Sequence, residues 1–170
     1  MSSVKVFIGG SRAVSRLNDA LRERLNRIMA EQHQVLVGDA NGADKAVQQY
    51  FADSQYPNVT VFCTGARCRN NVGAWTNVAI APPAGVHSGF DFYAVKDREM
   101  ATQATHGFML WDGESRGTFA NIRTLVRDGK SVVVYVSPSK SFVNVKSTAD
   151  IDGLLAEATL SAAQEVRRHA

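Results

Sequence analysis

Three short segments of this 170-residue chain combine glycine with hydroxyl, guanidinium and carboxylate side chains. They are Gly9, Gly10, Ser11 and Arg12; Gly38, Asp39, Ala40, Asn41, Gly42, Ala43 and Asp44; and Asp112, Gly113, Glu114, Ser115, Arg116, Gly117 and Thr118. Each follows a short apolar run and precedes an amphipathic stretch, where a strand hands over to a helix. The first amides of a helix lack internal partners and carry the positive end of its dipole, so they attract phosphate or carboxylate. Glycine lets an anion approach that backbone closely. Ser11, Ser115 and Thr118 add hydroxyl donors, and Arg12 and Arg116 can fork onto a phosphate. Asp39, Asn41, Asp44 and Asp112 suit the hydroxyls of a sugar, or helix capping. Taken singly, Gly38, Gly42 and Gly113 could serve only tight turns, and Ser11, Asp39 and Ser115 could be plain caps. Convergence of three such turns on one edge is what points to a binding site.

The elements that would position these turns follow from periodicity. Apolar runs at 4–8, 34–38, 59–63, 107–111 and 131–136 read as five strands. Between them Val14, Leu17, Leu21, Leu25 and Ile28 recur at helical spacing, as do Ala43, Ala46, Val47, Tyr50 and Phe51. Asp91 is placed to cap a helix running to Thr105, and Phe119, Ile122, Leu125 and Val126 mark another, ended by Gly129. A last amphipathic helix is expected at about 149–168. The alternation predicts an α/β three-layer sandwich, a five-stranded, mainly parallel sheet covered on both faces, in a single domain over 1–170. The stretch 64–90, rich in glycine and proline without a sustained period, reads as a long loop, either a functional lid or a partly mobile connection. Ligands of such sheets collect at the strand C-termini where the strand order reverses, the edge to which all three polar turns belong.

Composition narrows the function classes. With 45% hydrophobic and 21% charged residues the chain has a core to bury, which excludes a disordered segment. The net charge of +3 is scattered, compatible with an anionic small molecule and weak support for nucleic acid. The start reads as a strand rather than a signal peptide, and no apolar run reaches membrane length, so a cytoplasmic protein without a membrane partner is expected. Cys63 and Cys68 lack paired metal-ligand spacing and read as reduced thiols; His33, His87, His106 and His169 are far apart, so neither a metal nor another cofactor is expected. Arg67, Arg69 and Trp75 could close over a phosphorylated ligand, although a solvated basic loop is the simpler reading. Trp111 is placed either to stack on a base or to pack in the core.

In this order and spacing, IGGSR at 8–12, VGDANGADKAV at 37–47, KDREMA at 96–101 and MLWDGESRGTFANI at 109–122 resemble the SLOG superfamily, in particular its small bacterial and phage branches related to YspA. The resemblance runs from about Val4 to Val136. It implies a Rossmann-like sheet, a nucleotide or nucleotide-derived ligand bound in a sensing or binding role, and a homodimer or higher homo-oligomer. LOG-type relatives are phosphoribohydrolases that cut an N-glycosidic bond with an Arg from an RKxxM helix and a Glu from PGGxGTxxE. On this chain their Met falls on Met100, their Arg on Lys96, their Gly-Thr on Gly117 and Thr118, and their Glu on Asn121. An amide neither accepts a proton at neutral pH nor offers a full negative charge to a ribosyl cation, so binding is expected in preference to cleavage. Asp97, Asp112 or Glu114 would have to supply the missing carboxylate if the chain is an enzyme. DNA-processing proteins of the same superfamily add nucleic-acid binding as a third function.

Overall fold

The computed structural model describes residues 3–169; Met1, Ser2 and Ala170 of the expected 1–170 domain lie outside them. Strand β1 (Lys5–Gly10) occupies the middle of the sheet, with Val6 and Ile8 buried on one face and Phe7 on the other. The chain leaves it through α1 (Asp19–Ala30), β2 (Gln34–Gly38), α2 (Ala43–Asp53), β3 (Val59–Thr64) and β4 (Thr76–Ile80). It then returns through α3 (Gly89–Gln103) to β5 (His106–Trp111) on the far side of β1, continuing into α4 (Arg116–Arg127), β6 (Ser131–Val136), β7 (Ser141–Val145) and α5 (Thr148–His169). The sheet order is β4-β3-β2-β1-β5-β6-β7, parallel throughout except for the β6–β7 pair.

The mixed α/β, Rossmann-like layout matches the expectation; the strand count does not. The sheet has seven strands rather than five. β4 lies within the stretch read as a loop, pairing Thr60–Thr64 of β3 with Thr76–Ile80, and β7 is an antiparallel edge following β6. Both are edge strands, and the largely exposed TNVAI of β4 offers only the short apolar run Val78–Ile80 to betray it.

Two hydrophobic layers flank the sheet. Leu21 and Leu25 of α1 with Val47 and Phe51 of α2 pack on Val6, Ile8, Val35 and Val61. Met100 of α3, Ile122 and Leu125 of α4 and Leu154 of α5 pack on Phe7, Leu36, Phe62 and Met109. Each fully buried side chain of this size contributes about 1.5–3 kcal/mol. Helix α1 starts at Asp19, capped by the Asn18 side chain accepting from Leu21 N at 2.9 Å, so Val14 and Leu17 belong to the preceding connection. Helix α3 starts at Gly89 with Ser88 at its N-cap, which puts Asp91 in the first turn instead of at the cap. Among the described residues no helix is long and apolar enough to cross a membrane.

Candidate functional site

After β1 the chain moves toward β2, and after β5 toward β6 on the opposite side. The connections therefore diverge between the C-terminal ends of β1 and β5, opening a crevice. There a cleft of about 450 Å³ is walled by Gly9 and Gly10 of β1, the first turn of α2, α3 and the first two turns of α4.

The cleft gathers most of the expected residues. Gly9, Gly10, Arg12, Ala40 and Asp44 line one side, and Lys96, Asp97, Met100, Ser115, Gly117 and Thr118 the other. Ser11, Gly38, Asp39, Asn41, Gly42, Asp112, Gly113 and Arg116 do not line it, and each has other work in the structure.

GGSR is not a helix N-terminus, because Gly9 and Gly10 pair within β1 and α1 begins only at Asp19. Ser11 is buried and ties the two central strands together: its hydroxyl donates to Asp112 Oδ1 and accepts from the Asp112 amide, both at 3.1 Å. Asp112 Oδ1 also accepts from the amides of Glu114 at 2.9 Å and Ser115 at 2.7 Å. Burial pushes the Asp112 carboxyl up, but the Ser115, Glu114 and Ser11 hydrogen bonds outweigh it and hold the carboxyl below its ordinary range. Its Oδ1 is spent on the turn, which Gly113 completes at φ +85°. Gly42 (φ +83°) caps α2, and a Cβ there would stand 2.3 Å from the Arg12 carbonyl oxygen, so only glycine lets the Arg12 segment cross over α2.

Asp39 faces the connection after β3 rather than a ligand. Its carboxylate accepts from Arg69 Nη2 at 2.8 Å, Nε at 3.2 Å and the Arg69 amide at 2.8 Å, while the Asn70 side chain donates to the Asp39 carbonyl and to Asn41 Oδ1. Arg69 itself lines the cleft, with its guanidinium 4.2 Å from the Tyr93 ring centroid. The stretch expected as a lid or a partly mobile connection is folded down here, with Trp75 Nε1 donating to the Tyr56 carbonyl at 2.8 Å and Gln48 holding Asn70 and Val72.

At the base of the cleft lies a charged network. Lys96 is only 4% exposed and its ammonium donates to Asp97 Oδ1 at 2.7 Å; the Asn121 amide donates to Asp97 Oδ2 at 3.0 Å. Burial works against the Lys96 charge, but the Asp97 and Asp44 carboxylates outweigh it and raise its pKa. Asp44 is 7% exposed and accepts only a 3.2 Å contact from the Ala40 amide. Burial, opposed by Lys96 and reinforced by the charge of Asp97, pushes its carboxyl up to about 7. The cleft thus holds an Asp97 oriented by Lys96 and Asn121 together with an Asp44 that readily carries a proton at neutral pH.

The first turn of α4 supplies an anion-attracting end. Ser115 caps it by accepting from the Thr118 amide, while Gly117 lines the cleft and its amide has no partner among the described residues. Phe90, 54% exposed, and Tyr93 stand on α3 at the cleft's rim. Sequence reasoning missed these two; their signal was an aromatic pair at i, i+3 on the helix that also carries Lys96 and Asp97. Trp111 is not at the site: it is buried, stacked on Phe119 with ring centroids 5.6 Å apart, and donates to the Ser115 carbonyl.

Cys63 and Cys68 form a disulfide, correcting the expectation of two reduced thiols; the chain turns back after β3 and brings their Cα atoms to 5.1 Å. With Asp39 they make the one group of possible metal ligands among the described residues. Those atoms are already committed, the sulfurs to each other and both Asp39 oxygens to Arg69, so the group fits an ion pair beside a disulfide better than a metal. His33 pairs with Glu31 and His106 with Thr105, while the His169 side chain lies outside the described residues.

No family model and no curated protein matches the chain. Among solved structures it is similar to DNA processing protein A from Helicobacter pylori, with a TM-score of 0.57 and 16% identity, over 77% of this chain and 64% of that one. That protein is described as having a unique single-stranded DNA binding mode. The likeness is one of fold.

Proposed function

We propose that the cleft binds a nucleotide or nucleotide-derived phosphorylated small molecule, as a sensor or binding domain, and that the chain is a SLOG-type Rossmann-like protein. One observation carries the reading: at the switch point of the sheet, Arg12, Arg69, Lys96 and the first turn of α4 meet in one cleft rimmed by Phe90 and Tyr93. Cations and free amides suit phosphate, aromatic faces suit a base, and the volume suits a mononucleotide. Asp39, Asn41 and Asp112 act from behind the wall, positioning Arg69 and the turns, while the Arg116 guanidinium stands 5.8 Å from the Phe90 ring centroid. Thermal unfolding against mono-, di- and cyclic nucleotides tests this, because a ligand bound only by the native state raises its stability. A folded protein that shows no shift with any of them overturns the reading.

A hydrolytic variant draws support from Asp97, which Asn121 and Lys96 hold in the cleft beside the protonatable Asp44. Such a pair could serve an N-glycosidic cleavage as stabilising carboxylate and proton donor. Chromatographic release of free base from a nucleotide would establish it; intact nucleotide after prolonged incubation would leave binding alone. The fold likeness supports single-stranded nucleic acid as a further candidate ligand, for which affinity must fall steeply with salt. Exposed Leu155, Leu160 and Val166 on α5 are where a homodimer contact is proposed, with sedimentation as its check.

A further inference from the structure

Arg69 owes its place in the cleft to the residue before it. Cys63 is fully buried in β3, while Cys68 is half-buried in the connection that follows. The disulfide joins them across a turn in which Gly65 takes φ +87°. The next residue is Arg69, whose guanidinium forks onto Asp39, a side chain only 3% exposed, and lies over Tyr93. We infer that the Cys63–Cys68 pair is a thiol–disulfide exchange site that holds Arg69 in the cleft, making the cleft's cationic wall dependent on redox state.

The physical reason is steric. Bonded sulfurs sit about 2 Å apart, whereas non-bonded atoms need about 3.5–4 Å. Cys63 is locked in the sheet, so on reduction the displacement falls on Cys68 and passes one residue on to Arg69, whose forked geometry tolerates little of it. The Asp39 carboxylate, within 4.8 Å of both sulfurs, adds to the effect, since a negative charge there disfavours a thiolate and favours the bonded state. In the exchange, a small-molecule thiolate attacks the half-buried Cys68 sulfur, the S–S bond breaks and Cys63 leaves as a thiolate that takes up a proton. A second thiol then displaces Cys68, also protonated, and the two external thiols end as a disulfide.

The consequence for anion affinity rests on the reading of the cleft given above; the hold on Arg69 does not. The test compares the full chain, oxidised and after dithiothreitol, by hydrogen exchange at the Arg69 amide, which donates to Asp39 Oδ2. Reduction is expected to speed its exchange at least about tenfold while amides of β1 and β5 stay protected. Adenosine 5′-monophosphate, titrated against both forms, is expected to bind about tenfold more weakly to the reduced one, and Cys68→Ser is expected to reproduce both effects without reductant. Unchanged Arg69 exchange on reduction, or two free thiols counted in protein kept in oxidised glutathione, would overturn the proposal. If adenosine 5′-monophosphate binds neither form, a nucleotide that shifts thermal unfolding replaces it in the titration; if none does, the reading of the cleft falls, while the Arg69 exchange still decides the disulfide's role.

Discussion

The Asn121 side-chain amide donates to Asp97 Oδ2 at 3.0 Å, joining α4 to α3 on the cleft wall. The other Asp97 oxygen takes the Lys96 ammonium at 2.7 Å, so both oxygens of the acid are oriented from opposite sides.

Removing that acid strands a buried cation. In Asp97→Asn the Lys96 ammonium, 5% exposed as a side chain, loses its hydrogen-bonded partner and keeps only the charges of Asp44 and Asp39, and a loss of about 2–4 kcal/mol in urea unfolding is expected. Asn121→Ala removes one hydrogen bond and should cost only about 1 kcal/mol. Equal costs for the two substitutions would contradict the assignment of Asp97 as the partner that neutralises Lys96.

The raised pKa of Asp44 sets a pH dependence of definite sign. Folded Asp44 holds its proton up to about 7, whereas its unfolded value is 3.8. Between these values the native state binds more protons than the unfolded chain, so Asp44 makes stability fall as pH rises from about 4 to about 7. Asp112, held low, acts oppositely: its contribution is present above the ordinary carboxylate value and lost in acid. Asp44→Asn should flatten the fall, becoming more stable than the parent by a few kcal/mol at pH 8 and by little at pH 4. A constant difference across that range would show that Asp44 titrates normally.

Protonation of Asp44 also removes a negative charge from the cleft. Binding of an anionic nucleotide should therefore tighten as pH falls from 8 to 6, and Asp44→Asn should bind at pH 8 as the parent does at pH 6. Calorimetric titration at the two pH values decides this, and pH-independent affinity in the parent would refute it.

Arg69→Ala removes both guanidinium donors and leaves the buried Asp39 carboxylate with the residue-69 amide as its remaining donor from that residue, and a cost of about 2–3 kcal/mol is expected. Arg69→Lys keeps the charge but not the fork onto both carboxylate oxygens, and should fall between parent and alanine in both stability and anion affinity. If lysine fully restores both, the planar contact is irrelevant.

Two glycines at similar φ separate crowding from backbone strain. At Gly113 an added Cβ meets only Ala158 at 3.6 Å, so Gly113→Ala should cost about 1 kcal/mol from the positive φ alone. At Gly42 the same methyl runs into the Arg12 backbone, and Gly42→Ala should cost more than about 2 kcal/mol and displace Arg12 from the cleft. Thermal melts of the two variants, compared directly, are the check.

How far the site was legible in the sequence depended on what each residue does. Gly9, Gly10, Asp44, Lys96, Gly117 and Thr118 were found because they sit where strands end or on recognisable helical motifs, and the parallel sheet gathers those positions. Asp39 and Asp112 look the same in sequence as ligand-facing acids, yet Arg69 occupies both oxygens of Asp39, and the Ser11 hydroxyl and two backbone amides occupy Oδ1 of Asp112, which only the folded turns reveal. β4 and β7 escaped notice because each is a short five-residue edge strand, recruited by a neighbour's hydrogen bonds rather than announced by a long apolar run. α3 was legible to within two residues at each end, although one of its three buried residues is Lys96, which breaks the apolar stripe at the place where the helix meets the cleft.

The central position of β1 also governs the timetable of folding. One edge of β1 pairs with β2 soon after both are made, but its other edge must wait for β5, whose pairing partners lie about 100 residues further along. Ser11 and Asp112 meet only when that edge is zipped, so the floor of the cleft closes late. Until then the N-terminal half exposes an apolar strand edge beside Phe7 and Ile8. A chain arrested before residue 106 should therefore be prone to associate through that edge, and the nascent protein has most need of chaperone cover while α3 is being made.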